Sequence, residues 1–255
     1  MKVLISLIMA LVMSFFGLNS FAAKETVLLY TNYAPFSYGS TKSPQGLYPE
    51  LIKAIFFRMD DDLRIQVFPW KRTLSSAEQG KGFIAGIYKT PKREEIFNYS
   101  QPFYVEEVMV FVPTDSAINI NSSTDLSALK GKNVGLVAGF SYGSTVDAVV
   151  KAKLFKEQRA NSDILNFKKL LKGRLDAVIS AKLTGQTIIA KMKLGNKIKM
   201  INVPVNKGDV YIAVSKKLAD KVAVLDRFNK AIESMKQDGS YNKFMEEFIE
   251  RAAGQ

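Results

Sequence analysis

The 255-residue chain contains no cysteine and no histidine. Without them there is no disulfide framework, no thiol nucleophile, no Ser-His-Asp triad and no zinc site of the usual kind. A metal would have to be held by oxygen ligands alone, and no motif in the sequence calls for a cofactor. Charge of one sign, in contrast, is plentiful. There are 36 Lys+Arg against 24 Asp+Glu, a net charge of +12 and a pI near 9.6. That excess raises nucleic acid as a partner, but no nucleic-acid motif accompanies it. A hydrophobic content of 47% with 24% charged residues is that of a folded globular chain, not a disordered one. The length fits one or two domains.

Long apolar runs are scarce. The chain has one, Val3 to Leu18, preceded by Lys2 and followed by Ser20-Phe21-Ala22. The last three residues put small side chains at the two positions a signal peptidase inspects, so residues 1–22 are expected to be an export signal cleaved after Ala22. The run is short for a bilayer span of about 20 residues. With no cysteine there is no lipoprotein acceptor. No later stretch is apolar enough to cross a membrane, so the mature chain is expected to be exported without an integral membrane segment. Its stability must come from its core alone.

After the signal, strand patterns alternate with helical ones. Strands are expected at Thr26–Tyr30, Leu63–Phe68, Ile84–Tyr88, Val105–Pro113, Asn133–Val137, Leu175–Ile179 and Val210–Ser215. Helices are expected at Pro49–Met59, Trp70–Gly80, from Ser141, through Lys168–Lys172 to a stop at Gly173, and at Leu183–Met192, Leu218–Gln237 and Tyr241–Ala252. This alternation is the α/β class.

Four segments, in this order and spacing, resemble a known family. They are NYAPFSY (32–38) with GLYPEL (46–51), TPKREEIFNYSQPFY (90–104), DLSALKGKNVGLVAGFSYG (125–143), and LLKGRLDAVIS (170–180) with MKQDGSYNKF (235–244). The chain resembles the bacterial periplasmic solute-binding proteins of family 3, the amino-acid-binding type. The resemblance implies the type II periplasmic-binding fold: two lobes, 23–112 with 206–255 and 113–205, joined by two crossing segments that close on a ligand by hinge bending. It further implies a periplasmic monomer with a small-molecule ligand, an inner-membrane permease or sensor as partner, no nucleic acid and no cofactor. An alternative carried by a few proteins of this fold is a prephenate or arogenate dehydratase, which needs an acid over the leaving hydroxyl.

By the resemblance, Arg93 is the residue that grips a ligand carboxylate, a task suited to the paired N–H donors of guanidinium. Tyr33 and Phe36 lie in the first ligand-side loop, and Trp70 starts a cleft-side helix; all three are candidates for an aromatic wall. Tyr88 precedes the Thr90–Arg93 turn. The stretch from Gly80 to Arg93 is slightly shorter than in many relatives, so which of its residues face the cleft is open, because a one-residue slip reverses the faces of a strand. Gly139-Phe140-Ser141 resembles the loop that caps the carboxylate with backbone N–H groups and a hydroxyl, with Ser141 and the adjacent Tyr142 as its candidate ligand-binding residues. The departure from the family pattern is Ala181. Relatives place an acid there, five residues after the Asp176 position, to pair with the ligand ammonium. A desolvated ammonium without an anion is costly.

The surplus charge has a location. Residues 24–112 hold 11 basic and 10 acidic side chains, residues 205–255 hold 9 and 8, and residues 113–204 hold 15 and 6. The excess therefore falls on the expected second lobe, as a solvated face or a patch that draws anions.

Overall fold

The computed structural model describes residues 24–253; the expected export signal lies outside them. The first half forms β1 (Glu25–Tyr30), β2 (Tyr38–Ser40), β3 (Ser43–Gln45), α1 (Leu47–Arg58), β4 (Leu63–Phe68), α2 (Trp70–Glu78), β5 (Phe83–Ile87), α3 (Pro91–Glu94), β6 (Phe97–Tyr99) and β7 (Tyr104–Pro113). Next come β8 (Asn133–Val137), α4 (Ser144–Lys151), β9 (Lys156–Ala160), α5 (Asp163–Leu171), β10 (Ala177–Ala181), α6 (Lys182–Lys191) and β11 (Ile198–Met200). The chain returns through β12 (Asn206–Ser215) and ends in α7 (Val222–Gln237) and α8 (Ser240–Ala253).

Strands flanked by helices on both faces need nearly continuous apolar sequence. The runs VLLY in β1, FIAGI in β5 and AVISA in β10 supply it, and all three are almost wholly buried. β1 lies between β4 and β5, parallel to both. β8 lies between β9 and β10, again parallel. The two parallel groups are joined by a pair of long antiparallel strands in the order β4-β1-β5-β12-β7-β10-β8-β9. β7 pairs with β12 over Tyr104–Val108, then with β10 over Val108–Phe111. One strand thus serves both halves, and the switch falls at Val108.

The apolar interior divides in the same way. Val27, Leu51, Ile52, Phe56, Phe103, Phe228 and Ile232 pack around β1 and α1. Val110, Leu129, Val134, Leu136, Val146 and Ile179 pack around β8. A completely buried Leu, Ile or Phe side chain contributes about 1.5–3 kcal/mol. Each half therefore carries its own stabilising core.

Most expected elements form, with ends shifted by a few residues. β2, β3, β6, β9 and β11 were not anticipated. β9 reads KEQRA, with four of its five residues exposed, so it has no alternating apolar signal. It is an edge strand, and charge on such an edge blocks pairing with other chains. Ser141 does not open a helix: α4 starts at Ser144 with Gly143 at the cap position.

Candidate functional site: a closed cleft between the halves

The loop after β5 turns at Thr90. Its side chain accepts from the Arg93 N–H at 3.3 Å, and Pro91 opens α3, so the turn aims Arg93 back across the sheet end. The guanidinium lies over the Trp70 ring, 5.3 Å from its centre. Nη1 donates to the Tyr88 carbonyl at 3.1 Å, and Nη2 donates to the Gly139 carbonyl at 3.3 Å. Trp70 Nε1 donates to the same Gly139 oxygen at 3.0 Å. One carbonyl from the second half therefore takes two donors from the first. Burial pulls the Arg93 guanidinium below its usual range. Among the described residues no carboxylate lies within 4.0 Å of it.

Phe140, next to Gly139, enters an aromatic wall on the first half. Its ring centre is 5.5 Å from Tyr30, 5.5 Å from Tyr33 and 5.3 Å from Trp70, each edge-on. Edge-to-face geometry places the positive rim of one ring on the negative face of the next. Gly139 permits the approach: its φ is +79°, and a Cβ there would sit 3.1 Å from Trp70 Nε1.

Beneath the rings lies Glu106, on β7 and only 4% exposed. Tyr33 donates to Oε2 at 2.9 Å, Tyr88 donates to the same oxygen at 2.8 Å, and Tyr48 donates to Oε1. Burial raises the Glu106 carboxyl, while the three phenol bonds oppose that rise. The phenols of Tyr33, Tyr48 and Tyr88 are pushed well above their ordinary range, by burial first and by the Glu106 charge second. The O–H groups accordingly stay protonated and act as donors. Gly86 leaves room for this cluster, since a Cβ there would meet the Tyr48 ring at 2.9 Å.

Tyr30, Tyr33, Trp70, Tyr88, Arg93, Glu106, Phe140 and Ser141 surround a residual cavity of about 20 Å³, room for roughly one water. Outside the Arg93–Phe140 seam the space widens to about 360 Å³, bordered by Thr90, Arg93, Phe140, Ser141, Asp147 and Arg159. A second space of about 360 Å³ lies elsewhere, between α6 and α8, lined by Leu183, Thr187, Phe248 and Ile249. Gln186 and the exposed Lys191 also line it, and no buried charged residue does. The inner cavity and its mouth hold the chemistry that orients a polar ligand.

Five of the seven expected residues meet at the cavity: Tyr33, Trp70, Tyr88, Arg93 and Ser141. The structure corrects the other two. Phe36 is 1% exposed and stacks behind Tyr33 at 5.1 Å, so it supports the wall without facing the cavity. Tyr142 turns into the second core, where its hydroxyl accepts the Val137 N–H at 2.6 Å. The Ser141 hydroxyl donates to Asp147 at 2.5 Å, and Asp147 also accepts the Tyr142 N–H at 3.0 Å, so the loop is tied to α4. Tyr30 and Glu106 were not singled out by sequence, and Phe140 was placed in the capping loop without a role for its ring. The signal for Glu106 was present: VEEVMVFVP sets two acids inside an otherwise apolar strand. Adjacent strand residues face opposite ways, and Glu107 is the outward one, paired with Lys182 at 2.7 Å and Lys207 at 3.1 Å.

The family model "Bacterial extracellular solute-binding proteins, family 3" matches residues 26–251. The chain belongs to that family. It is 26% identical over 231 residues to the amino-acid-binding protein AabA of Dichelobacter nodosus, covering 88% of each chain. It is 25% identical over 244 residues to the lysine/arginine/ornithine-binding periplasmic protein of Escherichia coli (strain K12), covering 91% of each. Among solved structures, a histidine kinase sensor domain with similarity to periplasmic binding proteins superposes with a TM-score of 0.77 at 19% identity, over 89% of this chain and 96% of that one. The fold is thus the two-lobed periplasmic-binding type. The chain is a solute-binding protein, not an enzyme, as are the relatives by name. Among the described residues no helix is long and apolar enough to cross a membrane.

Proposed function

We propose that the chain captures a small carboxylate-bearing solute, an amino acid or a related polar compound, and delivers it to an inner-membrane permease. The observation that carries this is Arg93. A guanidinium has five N–H donors, and here two are spent on backbone carbonyls and none on a carboxylate. A largely desolvated cation without an anion is unfavourable. A ligand carboxylate arriving through the mouth would displace the Gly139 carbonyl, bond bidentately and neutralise the charge. Relatives named as amino-acid-binding and transport proteins favour the same ligand class and partner.

In this reading the lobes are 23–112 with 206–255 and 113–205, and β7 and β12 carry the hinge. Tyr33, Trp70 and Tyr88 wall the ligand, and Ser141 closes on it from the second lobe. The protein acts as a periplasmic monomer after cleavage near Ala22. The test is calorimetric titration of ligand-stripped protein with amino acids and small organic acids, repeated with Arg93→Ala. A hydrogen bond to a charged group contributes about 1.5–3 kcal/mol, so Arg93→Ala should weaken the bound compound by about 10- to 150-fold. Equal affinity would overturn the carboxylate assignment.

A further inference from the structure

Position 181 leaves the cleft without the acid expected there. Ala181 is buried at the end of β10, opposite Val108 in the register. The structure supplies a carboxylate from another element. Glu106 also lies on β7, two residues before Val108, and its carboxylate borders the inner cavity. Its three phenol partners can all donate to it, which favours the ionised carboxylate against the rise that burial causes. A carboxylate accepts about four hydrogen bonds. Three are used, and the free acceptor site is on Oε1, which takes Tyr48 alone. Among the described residues no Lys or Arg nitrogen lies within 4.0 Å of Glu106. The carboxylate is thus buried, hydrogen-bonded and without a countercharge. Such a charge is costly unless something positive joins it. The surrounding Tyr30, Tyr33, Tyr88 and Phe140 rings offer π faces that also favour a cation.

We propose that Glu106 selects the ligand class: the cleft takes a zwitterion whose positive nitrogen seats against Glu106 and the tyrosine rings while its carboxylate meets Arg93. This rests on the carboxylate reading above and adds the second pole. The positive end lies on the hinge strand rather than on β10. Each uncompensated charge of the cleft then finds its partner on one small molecule, and uptake of that molecule requires Phe140 to withdraw.

The test is calorimetric titration of ligand-stripped wild type, Glu106→Gln and Arg93→Ala with pairs that differ in the positive nitrogen. Suitable pairs are the common L-amino acids with their 2-oxo acids, glycine betaine with 3,3-dimethylbutyrate, and 5-aminopentanoate with pentanoate. The expected result is that wild type binds a zwitterion at least about tenfold more tightly than its nitrogen-free partner, and that Glu106→Gln removes this preference. A nitrogen-free acid binding wild type as well as its zwitterion, or Glu106→Gln keeping the preference, overturns the proposal. Arg93→Ala keeping full affinity for a zwitterion that Glu106→Gln loses overturns only the carboxylate reading. Wild type binding none of these compounds overturns both. Should Glu106→Gln fail to fold, Glu106→Asp retracts the charge and must lower the zwitterion preference; an unchanged preference overturns the proposal.

Discussion

Removing the Phe140 ring should open the lobes of the ligand-free protein. Phe140 makes three edge-on ring contacts across the cleft, with centres 5.3–5.5 Å apart. Each such pair contributes about 0.5–1.5 kcal/mol beyond the area it buries. Contacts that share one ring are not additive, so about 2–4 kcal/mol is the reasonable range for the set. At 1.4 kcal/mol per factor of ten, Phe140→Ala should move the closed-to-open ratio by about thirty-fold to several hundred-fold. The chain carries its own reporter. Trp70 is the single tryptophan, and its indole N–H donates across the cleft to Gly139. In Phe140→Ala the Trp70 emission should shift to longer wavelength and acrylamide quenching should rise. The radius of gyration from small-angle scattering should increase. Phe140→Leu, which keeps bulk but loses the ring electrostatics, should fall between. If emission, quenching and radius all match wild type, the ring does not hold the lobes and the closure argument fails.

Two further outcomes follow from the second half. Tyr142→Phe removes the acceptor of the buried Val137 N–H, and an orphaned buried donor costs about 1–3 kcal/mol, read as a lower urea midpoint with the cleft chemistry unchanged. Asp163 is buried, and burial pushes its carboxyl from 3.8 up to about 6. Between those pH values the folded chain holds a proton that the unfolded chain has released. Stability therefore declines as pH rises through that window, by up to about 3 kcal/mol at 1.36 kcal/mol per pH unit. Urea midpoints at pH 4, 5, 6 and 7 should show this decline in wild type and a flatter profile in Asp163→Asn; parallel profiles would contradict it.

The sequence disclosed the buried strands and the Thr90–Arg93 turn because their signals are local. Apolar runs, capping residues and glycine stops act within a few positions. β9 was missed because an edge strand need not be apolar. The site was harder for a different reason: its key contacts join residues distant in sequence. Tyr33, Tyr48 and Tyr88 reach Glu106 from separations of 73, 58 and 18 residues. Nothing in the sequence shows which of Glu106 and Glu107 faces inward, since that depends on the pairing of β7 with β12. Tyr142 and Phe36 sit beside cleft residues in sequence, but side-chain direction sends one into the second core and the other behind Tyr33. The basic excess of residues 113–204 stays mostly outside the cleft, where Arg159 borders the mouth.

The seam between Arg93 and Glu106 is the proposed ligand site. A crystal structure of the protein with the zwitterion that binds in calorimetry tests it most directly. The ligand carboxylate is expected within about 3 Å of the Arg93 guanidinium in place of the Gly139 carbonyl, the positive nitrogen facing Glu106, and Phe140 withdrawn from the Tyr30–Trp70 wall. A ligand seated in the groove between α6 and α8, with Phe140 still in place and Arg93 still bonded to Gly139, would contradict it.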